Sequence, residues 1–68
     1  MPEQVKLKGI MTENKVLQKD LAKIIGVSEK TVNDKVNGNI DFKLSEALLI
    51  ANYFGKSIEE IFLGQKLI

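Results

Sequence analysis

The 68-residue chain contains no cysteine, no histidine and no arginine. Without cysteine it forms neither disulfide bonds nor thiolate metal sites, and without histidine it lacks imidazole ligands and the commonest general base. Because all ten cationic side chains are lysines, the bidentate guanidinium contacts that arginine makes with guanine and phosphate are also absent. Since no carboxylate cluster with metal-ligand spacing replaces these groups, catalysis is the least favoured class of function, and we expect no metal and no cofactor.

The chain also has little net charge and no long apolar run. Ten lysines against nine acidic residues give +1, and the isoelectric point of about 8.0 lies below the value of about 9 that is typical of nucleic-acid-binding domains. No apolar run approaches the ~20 residues of a membrane span, and no signal-peptide core is visible at the start. We therefore expect a single cytoplasmic domain over residues 1–68, with a tail at 65–68 and no contact with membranes.

Apolar residues recur at helical spacing between regularly placed glycines, and strand signals are poor. The pattern predicts an all-α fold with five helices, at residues 3–14, 18–25, 28–36, 44–54 and 57–63. We expect Val5 in the first helix, and Leu44 and Leu48 in the fourth, on or near the core-facing side. Gly9 inside the first helix costs about 1 kcal/mol relative to alanine, which suggests that another backbone approaches it closely.

The informative segment is residues 18–37, which reads QKDLAKIIGVSEKTVNDKVN. A helix of eight residues, a short turn and a second helix form a helix-turn-helix arrangement at 18–36. Ala22 is small enough for the two helices to cross closely, and Gly26 supplies the positive φ that the turn needs. Ser28 is a preferred N-cap residue, and Val32 anchors the second helix in the core.

The ordered motifs of nearly the whole chain resemble the lambda-repressor-like family of phage repressors, Cro proteins and small bacterial regulators. The matching pieces are Gln18 with Asp20-Leu21-Ala22, Gly26-Val27-Ser28, Thr31-Val32, Asn37-Gly38, Leu44-Ser45-Glu46-Ala47, Ile50-Ala51, Phe54-Gly55 and Ser57 to Phe62. The resemblance implies a compact five-helix domain that binds double-stranded operator DNA, usually as a symmetric dimer.

In such proteins the second helix of the motif lies in the major groove, with its N-terminal residues at the base edges. The residues that the resemblance places there are Glu29, Lys30, Asn33 and Asp34. Lysine suits guanine, asparagine suits adenine, and an acidic side chain suits the amine of cytosine. Each has a plainer interpretation: a surface lysine is usually solvated, and two acids on this face are also what weak or lost DNA binding would leave.

The resemblance and the free amides at helix N-termini together indicate a set of phosphate-binding candidates. These are Gln18, Lys19, Ser28, Thr31, Asn37, Asn39 and Lys43. For the serine, capping alone is the simpler explanation. Lys43 stands where relatives often carry a serine or threonine cap, and its charge opposes the helix dipole unless a phosphate lies nearby.

Several positions depart from the family pattern. Leu17 replaces the usual threonine before the glutamine of the second helix, so a cap is lost. Lys35 takes the place of the last apolar anchor of the recognition helix, and Val36 becomes the anchor instead. Many relatives pair an arginine of the first helix with a glutamate near the end of the recognition helix. Met11 and Val36 stand at those two positions, so we expect packing in place of the ion pair.

These observations favour a sequence-specific transcriptional regulator, of the repressor or Cro type found in phages and mobile elements, that acts without a catalytic step. Apolar residues near the C-terminus indicate a weak homodimer that DNA would strengthen, with an interface at Ile58, Leu63, Leu67 and Ile68. The alternative is an antitoxin-like or anti-repressor module with the same fold, whose main partner is another protein.

Overall fold

The structure, a computed structural model, describes residues 4–62. These residues form five helices and no strand: α1 (Val5–Glu13), α2 (Gln18–Ile25), α3 (Glu29–Val36), α4 (Leu44–Phe54) and α5 (Ile58–Phe62). Helix α2 packs against α3 and α4, and α5 packs against α1 and α4. The predicted all-α fold is confirmed. Helices α2 and α4 begin and end as predicted, whereas α1 is shorter at both ends.

One apolar core joins the helices to the segment between α3 and α4. Its largest fully buried side chains are Phe42, Leu7, Leu21, Ile50, Ile61, Val32 and Val36. Phe42 lies in the α3–α4 segment, and its ring meets that of Phe62 edge-on, with centroids 5.3 Å apart. This contact fixes the α3–α4 segment against α5.

The turn between α2 and α3 forms as the sequence predicts. Gly26 ends α2 with φ of +73°, and its backbone N–H donates to the carbonyl of Ala22 over 2.8 Å. Two residues later the Ser28 hydroxyl accepts a hydrogen bond from the backbone N–H of Thr31 over 3.1 Å. Because the left-handed C-cap of α2 and the serine N-cap of α3 are only two residues apart, the chain ends one helix and begins the next within a single short turn.

Three expectations about packing are wrong. Val5 is 70% exposed. Leu44 and Leu48 are about half exposed, because the core-facing side of α4 is occupied by Ala47, Ile50 and Ala51 together with a glutamate. No neighbouring atom lies within 4 Å of the place where a Cβ on Gly9 would be. No backbone approaches this residue, and nothing in the structure explains why it is glycine.

A buried ion pair, which the sequence did not predict, joins α3 to α4. Lys35 and Glu46 are 4% and 6% exposed, and the ammonium Nζ lies 2.8 Å from the carboxylate Oε1. The same Nζ donates to the carbonyl of Asp41 over 3.1 Å and lies 5.6 Å from the centroid of the Phe42 ring. The carboxylate also accepts from the backbone N–H of Lys43 over 2.9 Å, which caps the start of α4. Both charges are therefore hydrogen-bonded as well as paired, as burial requires.

Glu46 responds to its surroundings in two opposing ways. Burial raises the pKa of its carboxyl, while the hydrogen bonds from Lys35 and from the backbone of Lys43, with the charges of both lysines, lower it. The lowering effects prevail, and the pKa lies below its ordinary value. Glu46 therefore stays ionised although it is buried, and its carboxylate remains paired with Lys35 of α3.

Removing one partner of this pair should cost far more than neutralising both. We expect Lys35→Met to destabilise the fold by about 3 kcal/mol or more, because it leaves a buried carboxylate without its cation. The double variant Lys35→Met/Glu46→Gln should recover most of that loss, since glutamine carries no charge and still offers an oxygen to the N–H of Lys43. Urea unfolding followed by circular dichroism measures both. A double variant no more stable than Lys35→Met would show that the two charges are not coupled.

The lowered pKa of Glu46 predicts a loss of stability in acid. Below about pH 4.3, the ordinary pKa of glutamate, the unfolded chain binds a proton at this residue before the folded chain does. The contribution of Glu46 should therefore be complete above that pH and decline as pH falls through the folded pKa. Unfolding free energies measured from pH 7 to 3 for the native chain and Glu46→Gln test this, because the other carboxylates are common to both. Parallel curves would contradict the assignment.

Candidate nucleic-acid interface

The four predicted base-reading residues lie on one outward side of α3. Glu29, Lys30 and Asn33 are exposed and Asp34 is partly exposed, whereas Val32 and Val36 on the opposite side are fully buried. Asn33 follows Lys30 by three residues and Glu29 by four, and Asp34 follows Lys30 by four, the spacings at which side chains on a helix surface are neighbours. The structure therefore brings the four residues together on one polar surface of α3.

Two of these side chains are already paired with each other. The Lys30 ammonium lies 3.3 Å from a carboxylate oxygen of Asp34, four residues later on the helix. Side-chain exposures of 87% and 27% place this pair in solvent, where such contacts contribute about 0.3–0.5 kcal/mol. Lys30 is thus free to leave Asp34 for a stronger acceptor at little cost.

A chain of side-chain amides crosses from α1 over α3 to α2. The Lys8 ammonium donates to Asn37 Oδ1 over 3.0 Å, and Asn37 Nδ2 donates to Asn33 Oδ1 over 3.1 Å. Asn33 Nδ2 in turn donates to Gln18 Oε1 over 3.2 Å. We call Lys8, Asn37, Asn33 and Gln18 the amide chain. It joins one predicted base-reading residue to two predicted phosphate residues, and it adds Lys8, which sequence reasoning missed because nothing in α1 resembles a binding motif.

The other predicted phosphate residues fall into two groups. Lys19, Ser28 and Thr31 lie in the first turns of α2 and α3 or at their caps, where a helix can offer backbone amides to an anion, although the N–H of Thr31 itself donates to Ser28. Ser28 is the cap that the sequence predicted, and its hydroxyl also donates to that of Thr31 over 2.9 Å. Asn39 and Lys43 lie between α3 and α4, both exposed, and no side-chain hydrogen bond among residues 4–62 links them to the first group.

Two of the departures from the family pattern have structural counterparts, one at the base of α3 and one at the start of α2. Met11 and Val36 are both buried in the common core, and both border a shallow cavity of about 280 Å³ beside Lys8 and Gln18. Packing in place of an ion pair is consistent with this arrangement. At the start of α2, Leu17 provides no side-chain cap, but the Asp20 carboxylate accepts from the Leu17 N–H over 2.9 Å, so half of a capping box remains.

The outward side of α4 is an apolar surface that the sequence reading did not predict. Leu44, Leu48, Leu49 and Tyr53 are each about half exposed, and the intervening outward positions hold a serine and an asparagine. We call these four residues the α4 face. Helical periodicity could have revealed it, since the apolar residues of α4 cover more of its circumference than one core contact uses.

One of the four predicted dimer residues lies within the described part of the chain. Ile58 is partly buried and packs against the core, while Leu63, Leu67 and Ile68 lie outside the described residues. Within the described part of the chain, no helix has the length and apolar character to span a membrane.

Comparison with known proteins agrees with this geometry. The sequence profile of the Cro/C1-type HTH DNA-binding domain matches residues 6–63, a range that covers the five helices apart from the first residue of α1. The chain is also similar to a protein of Methanocaldococcus jannaschii described as an uncharacterized HTH-type transcriptional regulator. The two are 41% identical over 58 residues, which make up 85% of this chain and 88% of the relative.

Proposed function

The chain belongs to the Cro/C1-type helix-turn-helix DNA-binding family, and from this premise we propose that it is a sequence-specific transcriptional regulator of the phage or mobile-element repressor type. It would occupy operator DNA in the cytoplasm and exclude polymerase or a competing regulator. The action would be binding alone, with no catalytic step and no cofactor.

The observation that carries this proposal is the exposed polar side of α3, formed by Glu29, Lys30, Asn33 and Asp34 on a helix anchored by buried valines. Entering the major groove, Lys30 would contact guanine O6 and N7, and Asn33 would pair with adenine. Either acid would accept from a cytosine amine, and elsewhere it would repel the DNA backbone.

The phosphate contacts would come from the termini of α2 and α3 and from the α3–α4 segment, through Gln18, Lys19, Ser28, Thr31, Asn37, Asn39 and Lys43. With a net charge of +1 and no arginine, one subunit neutralises few phosphates and binds weakly. Two subunits related by a two-fold axis would double these contacts and place two α3 helices in successive major grooves, about 34 Å apart.

We propose that this pairing is a weak homodimer that DNA strengthens. The predicted interface contains Ile58, Leu63, Leu67 and Ile68, and the α4 face offers a second surface. The largest apolar patch of a soluble monomer is roughly 300–600 Å² and is often functional. Two such patches together reach only the lower end of specific interfaces.

The α4 face also supports the second candidate function, an antitoxin-like or anti-repressor module. An uncharged apolar helix side is suited to a protein partner rather than to DNA. Co-purification of a partner from the native organism, lost on Leu48→Lys, would favour this function over self-association.

Selection of binding sites from random DNA at fixed salt tests the proposed function, and we expect a palindromic consensus. On the selected site Lys30→Ala should weaken binding by about 1–3 kcal/mol, with much less effect on random DNA, if Lys30 reads a base. Equal losses on both would make Lys30 a phosphate contact. Lys56→Ala, between α4 and α5, removes the same charge as a control. Unchanged binding by Lys30→Ala would show that α3 is not the recognition helix.

Substitutions on the two candidate surfaces test the dimer. Sedimentation velocity with and without the selected DNA should show association of the native chain that is reduced by Leu67→Lys/Ile68→Lys, by Leu48→Lys, or by both. Val5→Lys is the control, because it adds the same charge to another exposed apolar residue. A native chain that stays monomeric in both conditions would contradict the proposal.

A further inference from the structure

The amide chain has a direction, and one residue sets it. An ammonium group only donates hydrogen bonds, whereas the side-chain amides of asparagine and glutamine both donate and accept. Lys8 therefore requires the oxygen of Asn37 to face it, at 3.0 Å. The amino group of Asn37 must then point to the oxygen of Asn33, and the amino group of Asn33 to the oxygen of Gln18, as the distances of 3.1 and 3.2 Å show.

This direction determines what the last two members can offer a ligand. With its oxygen occupied by Asn33, Gln18 at the start of α2 has its amino group left for an acceptor, which is the polarity that a phosphate oxygen requires. Within the amide chain, Asn33 uses one of its two side-chain N–H groups and one of the two lone pairs of its oxygen. It retains one of each, and an asparagine needs both to pair with adenine N6 and N7.

We propose that Lys8 is a positioning residue of the DNA site: through Asn37 it holds the amide of Asn33 in the orientation for base reading and turns the amino group of Gln18 towards the phosphate backbone. Lys8 lies on α1, outside the helix-turn-helix motif, and is half-buried. Its action on the base is therefore indirect. The inference rests on the proposed function, since it specifies how the same surface would read DNA.

Two substitutions at Lys8 and one double variant test whether Lys8 acts through Asn33. Arginine is also only a donor, so Lys8→Arg should keep the sequence preference. Lys8→Met removes the donor. The preference to measure is that for the selected site over a site changed at the base pair that Asn33 reads, and it should fall by at least about fivefold. In an Asn33→Ala background Lys8→Met should change that preference no further. Lys6→Met, which removes an exposed lysine of the same helix, is the matched control.

A simple phosphate anchor would behave differently. If Lys8 only contacts the phosphate backbone of DNA, Lys8→Met should weaken binding equally on all DNA sequences. It should also reduce the slope of the logarithm of the binding constant against log salt concentration by about 1 per subunit. Preference at the Asn33 pair would then be unchanged. That result would overturn the inference while leaving the proposed function intact.

The free protein provides a test that does not need DNA. In ¹H–¹⁵N spectra the side-chain amide signals of Asn37, Asn33 and Gln18 should all shift in Lys8→Met and stay in place in Lys6→Met. Signals of Asn33 and Gln18 that do not respond would overturn the inference. If the native chain selects no DNA sequence but these signals respond, the proposed function fails and the directional role of Lys8 within the fold remains.

Discussion

The buried contact between Lys35 and Glu46 fixes how α3 is held against α4. It joins the last turn of α3 to the first turn of α4, and the same lysine reaches the carbonyl of Asp41 in the segment between them. Phe42, directly beside the ammonium, fixes that segment against α5. The orientation of α3 thus depends on a polar contact placed where relatives use an apolar anchor. Such a pair couples the two helices, because removing either partner leaves the other charge buried without compensation.

Much of the fold could be predicted because its signals are local. Gly26 and Ser28 fix the turn by their own backbone and side-chain preferences. A local contact of the same kind caps α5, where the Ser57 hydroxyl accepts from the Glu60 N–H over 3.2 Å. The exposed side of α3 followed from the period of the helix. None of these features depends on which element lies opposite.

The features that sequence reasoning missed all depend on contacts between distant residues. Lys35 was expected only as an interruption of the apolar pattern, because its partner Glu46 lies eleven residues away on another helix. Leu44 and Leu48 were assigned to the core because a helix with apolar residues on several sides gives no sign of which side is covered. Lys8 could not be found, since the interaction with Asn37 spans 29 residues.

The pairing of Lys30 with Asp34 has a consequence for how the protein would search a chromosome. The contact itself is weak, but the carboxylates of Asp34 and Glu29 lie beside the Lys30 ammonium on the same side of α3, and their charges offset its attraction for an arbitrary DNA backbone. Complexes with unrelated DNA sequences would then be short-lived, because net attraction arises only when the bases of the operator bind these side chains. Discrimination of this kind comes from weakening the wrong complexes. It would let a weakly charged domain move rapidly between sites instead of being retained on unrelated DNA.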